Sequence, residues 1–221
     1  MDQSDEPVQI SIEGNIGAGK SFLVKHLQEH LNLPGVRLVQ EPVGEWERFK
    51  NEQGKSILEL FYQDTERWGF TFQQMCMLSR ALALKQQAKG AQVLLHERSV
   101  GADAHVFATH LYNTNKMSSV EFDIYGAWFD TLVDVLGMKR HRVVYLRTDP
   151  TLCLKRIQER GRKGEAGITL QYLEALHQLH DEWMLREASS TLVLQKGSVE
   201  EYTEAIRQFI LEAQRSQSSK A

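Results

Sequence analysis

The chain has 221 residues and is 42% apolar, enough for one substantial core, so collagen, coiled-coil and disordered classes fit poorly. Its 26 basic and 29 acidic residues leave a net charge of −3, too small an excess of either sign for a protein that sheathes nucleic acid. No uncharged run approaches the roughly 18 residues of a membrane helix, and Cys76 and Cys153 alone cannot build a disulfide framework or a zinc cluster.

From the amino end, Met1 to Pro7 carries three acidic residues and no basic one, which fits neither a secretory signal nor an Arg-rich transit peptide. The expectation is a cytoplasmic protein without a membrane anchor, its two cysteines acting as buried apolar fillers. Val8 to Ile12 is short and β-branched, and reads as a buried strand. Gly14-Asn15-Ile16-Gly17-Ala18-Gly19-Lys20-Ser21 follows, and helical spacing of Phe22, Leu23, Leu27 and Leu31 predicts a helix over Lys20 to Leu31, ended by Pro34-Gly35. A second strand is expected at Val36 to Gln40, with Glu41-Pro42 immediately after it. Helical periodicity covers Phe70 to Lys89 and Val120 to Leu136, and apolar strands are expected at Val93 to His96, Val143 to Leu146 and Thr191 to Leu194. Strands alternating with helices predict an α/β fold with a parallel sheet covered on both faces. One domain over residues 1–215 is expected, and Ser216 to Ala221 reads as a polar, disordered tail.

The glycine-rich stretch satisfies G-x-x-x-x-G-K-[ST] between a strand and a helix, the context its mechanism requires. Its amide N–H groups can converge on phosphate oxygens, Lys20 can bridge β- and γ-phosphates, and Ser21 is placed for Mg²⁺. There is no Asn-Lys-x-Asp guanine-reading motif and no room for a motor's additional domains, which favours a small nucleotide-dependent transferase. Strand ends on this side of an open sheet face the ligand. Glu41 could therefore take the proton of an attacking hydroxyl or serve merely as a loop acid. Glu97 could orient Mg²⁺ and Arg98 an acceptor oxygen, or the two could form a structural ion pair.

The segments GNIGAGKS (14–21), EPVGEW (41–46), FTFQ (70–73), ERS (97–99), YLRT (145–148), CLKRIQERGR (153–162) and YLEALHQLHDEW (172–183) resemble, in that order and spacing, those of the deoxyribonucleoside kinases. The resemblance spans roughly residues 8–210. It implies a P-loop kinase fold on a five-stranded parallel sheet, with transfer of the γ-phosphoryl of ATP to the 5′-hydroxyl of a deoxyribonucleoside. Glu41 matches the family's base, Arg98 the arginine at the 5′-oxygen, and Tyr62 with Glu165 the pair that binds the sugar 3′-hydroxyl. Gln73 falls where the base edge is read, beside Phe72, with Trp46 and Phe107 as aromatic walls. Arg80 and Asp103 match a pair found in members that accept deoxycytidine and deoxypurines rather than thymidine; a surface salt bridge is the alternative use. Arg156, Arg160 and Arg162 match an arginine-rich lid, the first stacking on adenine and the others clamping phosphates. The resemblance also implies a homodimer through helices near Phe70 to Leu84 and Phe122 to Leu136. Gly101, Ala104 and Thr169 depart from the family pattern, and they should shrink or loosen the region around Asp103. The paired histidines His26/His30 and His177/His180 lack a third ligand and read as helix-surface or packing residues. A nucleoside-monophosphate kinase and a non-catalytic nucleotide-binding module remain as alternatives.

Overall fold

The computed structural model describes residues 7–136, 141–186 and 188–218. The amino-terminal acidic segment, up to Glu6, and the last three residues of the expected tail lie outside the described residues.

The expected strands are realised as β1 (Val8–Glu13), β2 (Val36–Val39), β3 (Val93–Glu97), β4 (His141–Leu146) and β5 (Thr191–Leu194). All pair in parallel, in the spatial order β2-β3-β1-β4-β5. Helices α1 (Lys20–His30), α2 (Val43–Arg48), α3 (Ile57–Gln63), α4 (Thr65–Ala88), α5 (Val100–Ala102), α6 (Thr109–Asn113), α7 (Ser119–Val135), α8 (Pro150–Arg160), α9 (Leu170–Arg186) and α10 (Val199–Ser218) fill the connections. A π-helical turn, Asp103–Ala108, joins α5 to α6.

Side-chain alternation along β1 divides the core. Ile10 and Ile12 pack with Leu23, Val24, Leu27 and Ile210, under α1 and α10. The opposite face carries Gln9, Ser11 and Glu13, an unusually polar row for a fully buried strand. On that side Val143 and Tyr145 of β4 meet Leu176 and Trp183 of α9. A separate apolar cluster, including Trp46, Phe61, Phe72, Met77 and Tyr125, joins α2, α3, α4 and α7 beside the sheet.

Helix starts follow local chemistry. Ser56 and Glu59 form a capping box at α3, as do Ser118 and Glu121 at α7. Asp64 accepts from the Arg67 N–H and starts α4 at Thr65, ahead of the periodic stretch beginning at Phe70. Asp149 caps α8, Pro150 occupies its first turn, and Gly161 ends it with φ +60°. The last helix continues to Ser218, into the segment expected to be a disordered tail, because α10 lays Ile206, Ile210 and Ala213 on the sheet.

Gly17 is needed for two reasons: its φ is +77°, and a Cβ there would lie 2.5 Å from the Cys153 carbonyl oxygen of α8. Gly17→Ala should cost about 1–3 kcal/mol, read as a lowered midpoint in urea unfolding. Gly44→Ala, on α2 with nothing within 4 Å of the added carbon, should cost nothing measurable. Equal midpoints for the two variants would remove the steric account of the loop.

Candidate active site

Register places the chemistry. Val39 pairs with His96, so Glu41 and Arg98 each lie two residues beyond a matched pair on adjacent strands. Ile12 pairs with Glu97, which sets the glycine loop after β1 beside both. The three strand ends surround a cavity of about 300 Å³, and every sequence-predicted site residue except Gly14, Asn15 and Ala18 lines it. Those three support the loop. Gly14 passes against the Leu146 carbonyl, where a Cβ would meet oxygen at 2.5 Å. Asn15 Nδ2 donates to the Leu173 carbonyl at 2.8 Å, and the Ala18 carbonyl accepts from Arg156 Nη1 at 2.8 Å. Ala18, Gly19 and Arg156 also border a neighbouring cavity of about 820 Å³, reached by Phe22, Thr148, Lys196 and Tyr202.

Glu41 stands at the centre. Arg80 Nη2 donates to its Oε1 at 2.8 Å and Arg98 Nε lies 3.3 Å from the same oxygen. Burial opposes its charge, but Arg80, Arg98 and Lys20 outweigh burial and hold the carboxyl at about 2. Arg80 is likewise buried, and Asp103 and Glu41 overrule desolvation so that its pKa is raised. The Arg80 Nε to Asp103 Oδ2 distance is 2.8 Å with both side chains almost without exposure, so this pair is no surface salt bridge. Glu97 and Arg98 diverge: Arg98 turns to Glu41, its guanidinium 4.7 Å from the Phe107 ring, and Glu97 Oε1 accepts from Ser21 Oγ at 2.6 Å. Lys20 Nζ donates to the Gly14 and Asn15 carbonyls. Burial, then Arg98, lowers Lys20 to about 7, against the pull of Glu41, Glu97 and Glu13.

At the far end of the cavity Gln73 is buried with Oε1 unpaired, an acceptor without a donor. Phe72 stacks on Phe61 and meets Trp46 edge-on, while Trp46 Nε1 donates to Ser79 Oγ at 2.9 Å. Tyr62 lines the same space, and burial pushes its hydroxyl pKa up, with Tyr172 and Glu165 adding to the effect. Glu165 receives Arg160 at 2.7 Å and Arg162 at 3.3 Å, so both arginines expected in a lid are engaged by the acid expected at the sugar.

Three features differ from the sequence reading. Cys76 and Cys153 are both buried core residues as expected, but Cys76 also lines the cavity; it falls between Gln73 and Arg80 on one helical face, a spacing that could have found it. Phe22 and Leu58 also line the cavity without a sequence signal. The region around Asp103 is filled, not loosened: a Cβ on Gly101 would lie 2.9 Å from Trp183 Cζ2, so the ring takes the space the glycine leaves. Of the paired histidines, His26 and His30 stack on α1 and His180 is fully buried, its Nδ1 at the Leu176 carbonyl.

Comparison with known proteins gives a family match over residues 10–215, to the model described as deoxynucleoside kinase. The chain is 38% identical to the deoxycytidine kinase of Bos taurus over 203 residues, 83% of this chain and 77% of that one. It is 39% identical to the deoxycytidine kinase of Mus musculus over the same shares. It is 36% identical to the mitochondrial thymidine kinase 2 of Homo sapiens over 180 residues, 80% of this chain and 64% of that one.

Lys20 generates a proton-linked prediction. With a pKa of about 7 in the free protein, it is largely neutral at pH 8 and charged at pH 6. Triphosphate oxygens beside it favour the charged form. Nucleoside triphosphate binding should therefore take up close to one proton at pH 8 and much less at pH 6, measured by calorimetry in buffers of different ionisation enthalpy. Equal uptake at both values contradicts the lowered lysine.

Proposed function

The chain belongs to the deoxynucleoside kinase family and is a phosphotransferase acting on deoxynucleosides; on that premise we propose that it moves the γ-phosphoryl of ATP to the 5′-hydroxyl of deoxycytidine or a deoxypurine nucleoside, with Mg²⁺. The single observation that carries this reading is the meeting of Glu41, Arg98 and the phosphate loop in one cavity. Glu41 accepts the hydrogen bond of the attacking hydroxyl, and takes its proton as the oxygen–phosphorus bond forms and the β–γ bridging bond breaks. Because such transition states are loose, a weak, well-aimed base suffices, and alignment with charge stabilisation does most of the work. Arg98 holds the 5′-oxygen end. Lys20 and the loop amides hold the donor phosphates, and the adenosine half is assigned to the larger neighbouring cavity beside Arg156. Ser21 and Glu97 are adjacent hard oxygen donors, a set that fits Mg²⁺ together with phosphates and water. They would hold the ion, which would supply charge neutralisation at the transferring group.

Tyr62 and Glu165 are assigned to the 3′-hydroxyl, and the unpaired Gln73 carbonyl to a donor on the base. The buried Arg80–Asp103 pair lines the same cavity as Gln73 and is assigned to the space a thymine methyl would need, which supports the preference against thymidine. Arg160 and Arg162 are assigned to closure over the donor phosphates. Two buried free cysteines support a reducing compartment, the cytosol in the simplest reading; no helix among the described residues is long and apolar enough to cross a membrane. Leu78 and Leu82 on α4 and Val120, Ile124 and Trp128 on α7 are exposed at i,i+4 spacing, which supports a homodimer through this face.

Glu41→Gln should bind nucleoside within a few-fold of the parent and lose about 10²–10⁴-fold in kcat; unchanged turnover removes Glu41 from the mechanism. Arg80→Met with Asp103→Ala should move the kcat/KM ranking toward thymidine. Losing Arg80 also lifts Glu41 from about 2 toward the ordinary carboxylate range. Since Glu41 works deprotonated, activity of this double variant should fall off at higher pH on the acid side than that of the parent. Trp128→Lys should shift the protein toward monomer in sedimentation velocity, with the parent remaining a dimer.

A further inference from the structure

Arg98 reaches the cavity from an uncommon backbone position. Its φ is +61°, a left-handed conformation that side-chain-bearing residues seldom adopt. Such outliers persist where surrounding contacts over-determine them. Here the Arg98 N–H donates to the Ile12 carbonyl at 3.0 Å, extending the β1–β3 ladder one step beyond the strand. Both polar groups of the next peptide, between Arg98 and Ser99, are then taken by buried side chains. His96 Nδ1 donates to the Arg98 carbonyl at 3.1 Å, and the Ser99 N–H donates to Glu13 Oε1 at 2.8 Å.

Neither Glu13 nor His96 borders the cavity, yet both are buried, Glu13 completely. Glu13 ends β1 directly before Gly14, and it bridges to the residue directly after Arg98. His96 is fixed from behind by stacking on His141 of β4, ring centroids 5.8 Å apart. The side chain of Arg98 then needs only its ordinary length to place Nη2 at the Gly14 carbonyl, 3.0 Å, and Nε near Glu41. A turn of the 98–99 peptide would break both buried bonds and swing the guanidinium off Glu41.

We propose that Glu13, with His96, is a positioning residue for phosphoryl transfer: its carboxylate oxygen clamps the Ser99 amide and so locks Arg98 in the backbone conformation that aims it at the acceptor. The proposal rests on the reading of Arg98 as the residue at the acceptor oxygen. It assigns Glu13 a task as a hydrogen-bond acceptor rather than as a charge partner of Lys20.

A double-mutant cycle separates these possibilities. Glu13→Ala, Glu13→Gln, Arg98→Ala and Glu13→Ala/Arg98→Ala would be measured for kcat and deoxycytidine KM at saturating ATP, per folded enzyme from circular dichroism and thermal melts. Misaiming a group that must sit in line costs on the order of 10–100-fold, so Glu13→Ala should lose that much kcat with KM shifted less than about three-fold. Glu13→Gln, which keeps the acceptor oxygen, should retain kcat within about three-fold. In the Arg98→Ala background, Glu13→Ala should add less than about two-fold, because nothing remains to be aimed. Equal losses in both backgrounds, or a Gln variant as impaired as the Ala variant, overturns the role of Glu13 while leaving Arg98 in place. An Arg98→Ala enzyme with undiminished kcat removes the reading of Arg98 and this inference with it. Should Glu13→Ala not fold, Glu13→Asp, shorter by one methylene and still charged, runs the same cycle: a kcat loss confined to the Arg98 background supports the clamp, and parental kcat overturns it.

Discussion

Charge cannot be buried without compensation, and this cavity buries three cations together. Lys20, Arg80 and Arg98 are each nearly without exposure, and they share oxygens that come from several elements. Asp103 comes from the π-helical turn, Glu41 from the loop after β2, and the Gly14 carbonyl from the end of β1. No single segment could supply this set, so the cavity exists only when the sheet, α4 and the π-helical turn are all in place. Within it Arg80, Arg98 and Lys20 hold Glu41 at about 2 against burial, while burial, then Arg98, lowers Lys20 to about 7.

Parallel register is what allows the compensation. β1, β2 and β3 run side by side and end at one edge, so each contributes one chemical group to the same few ångströms. The price falls at Arg98, whose backbone leaves the strand in a left-handed turn. The polar row of Gln9, Ser11 and Glu13 inside an otherwise apolar sheet supplies the buried acceptor that such a turn uses. Core polarity and the backbone turn at Arg98 are thereby one feature.

Arg160 and Arg162 are held on Glu165, and α8, which bears Arg156 and Arg160, packs its Cys153 carbonyl where a Gly17 side chain would be. The phosphate loop and α8 are therefore in direct contact. Arg160 and Arg162 both pair with Glu165, and all three line the one cavity.

Much of this was legible in the chain. The short apolar runs at Val8, Val93 and Val143 determined the strands, because burial on both faces leaves little else they could be, and the spacing of glycines, Lys20 and Ser21 determined the phosphate loop, because its function is local backbone geometry. What tertiary structure alone decided are relations between distant segments: that Arg80 serves Glu41 as well as Asp103, that Cys76 faces the cavity, that Trp183 fills the space at Gly101, and that Glu13 holds the turn at Arg98. Each depends on strand register and helix packing, where the partner lies tens of residues away and the sequence pattern carries no record of which side chain will meet it.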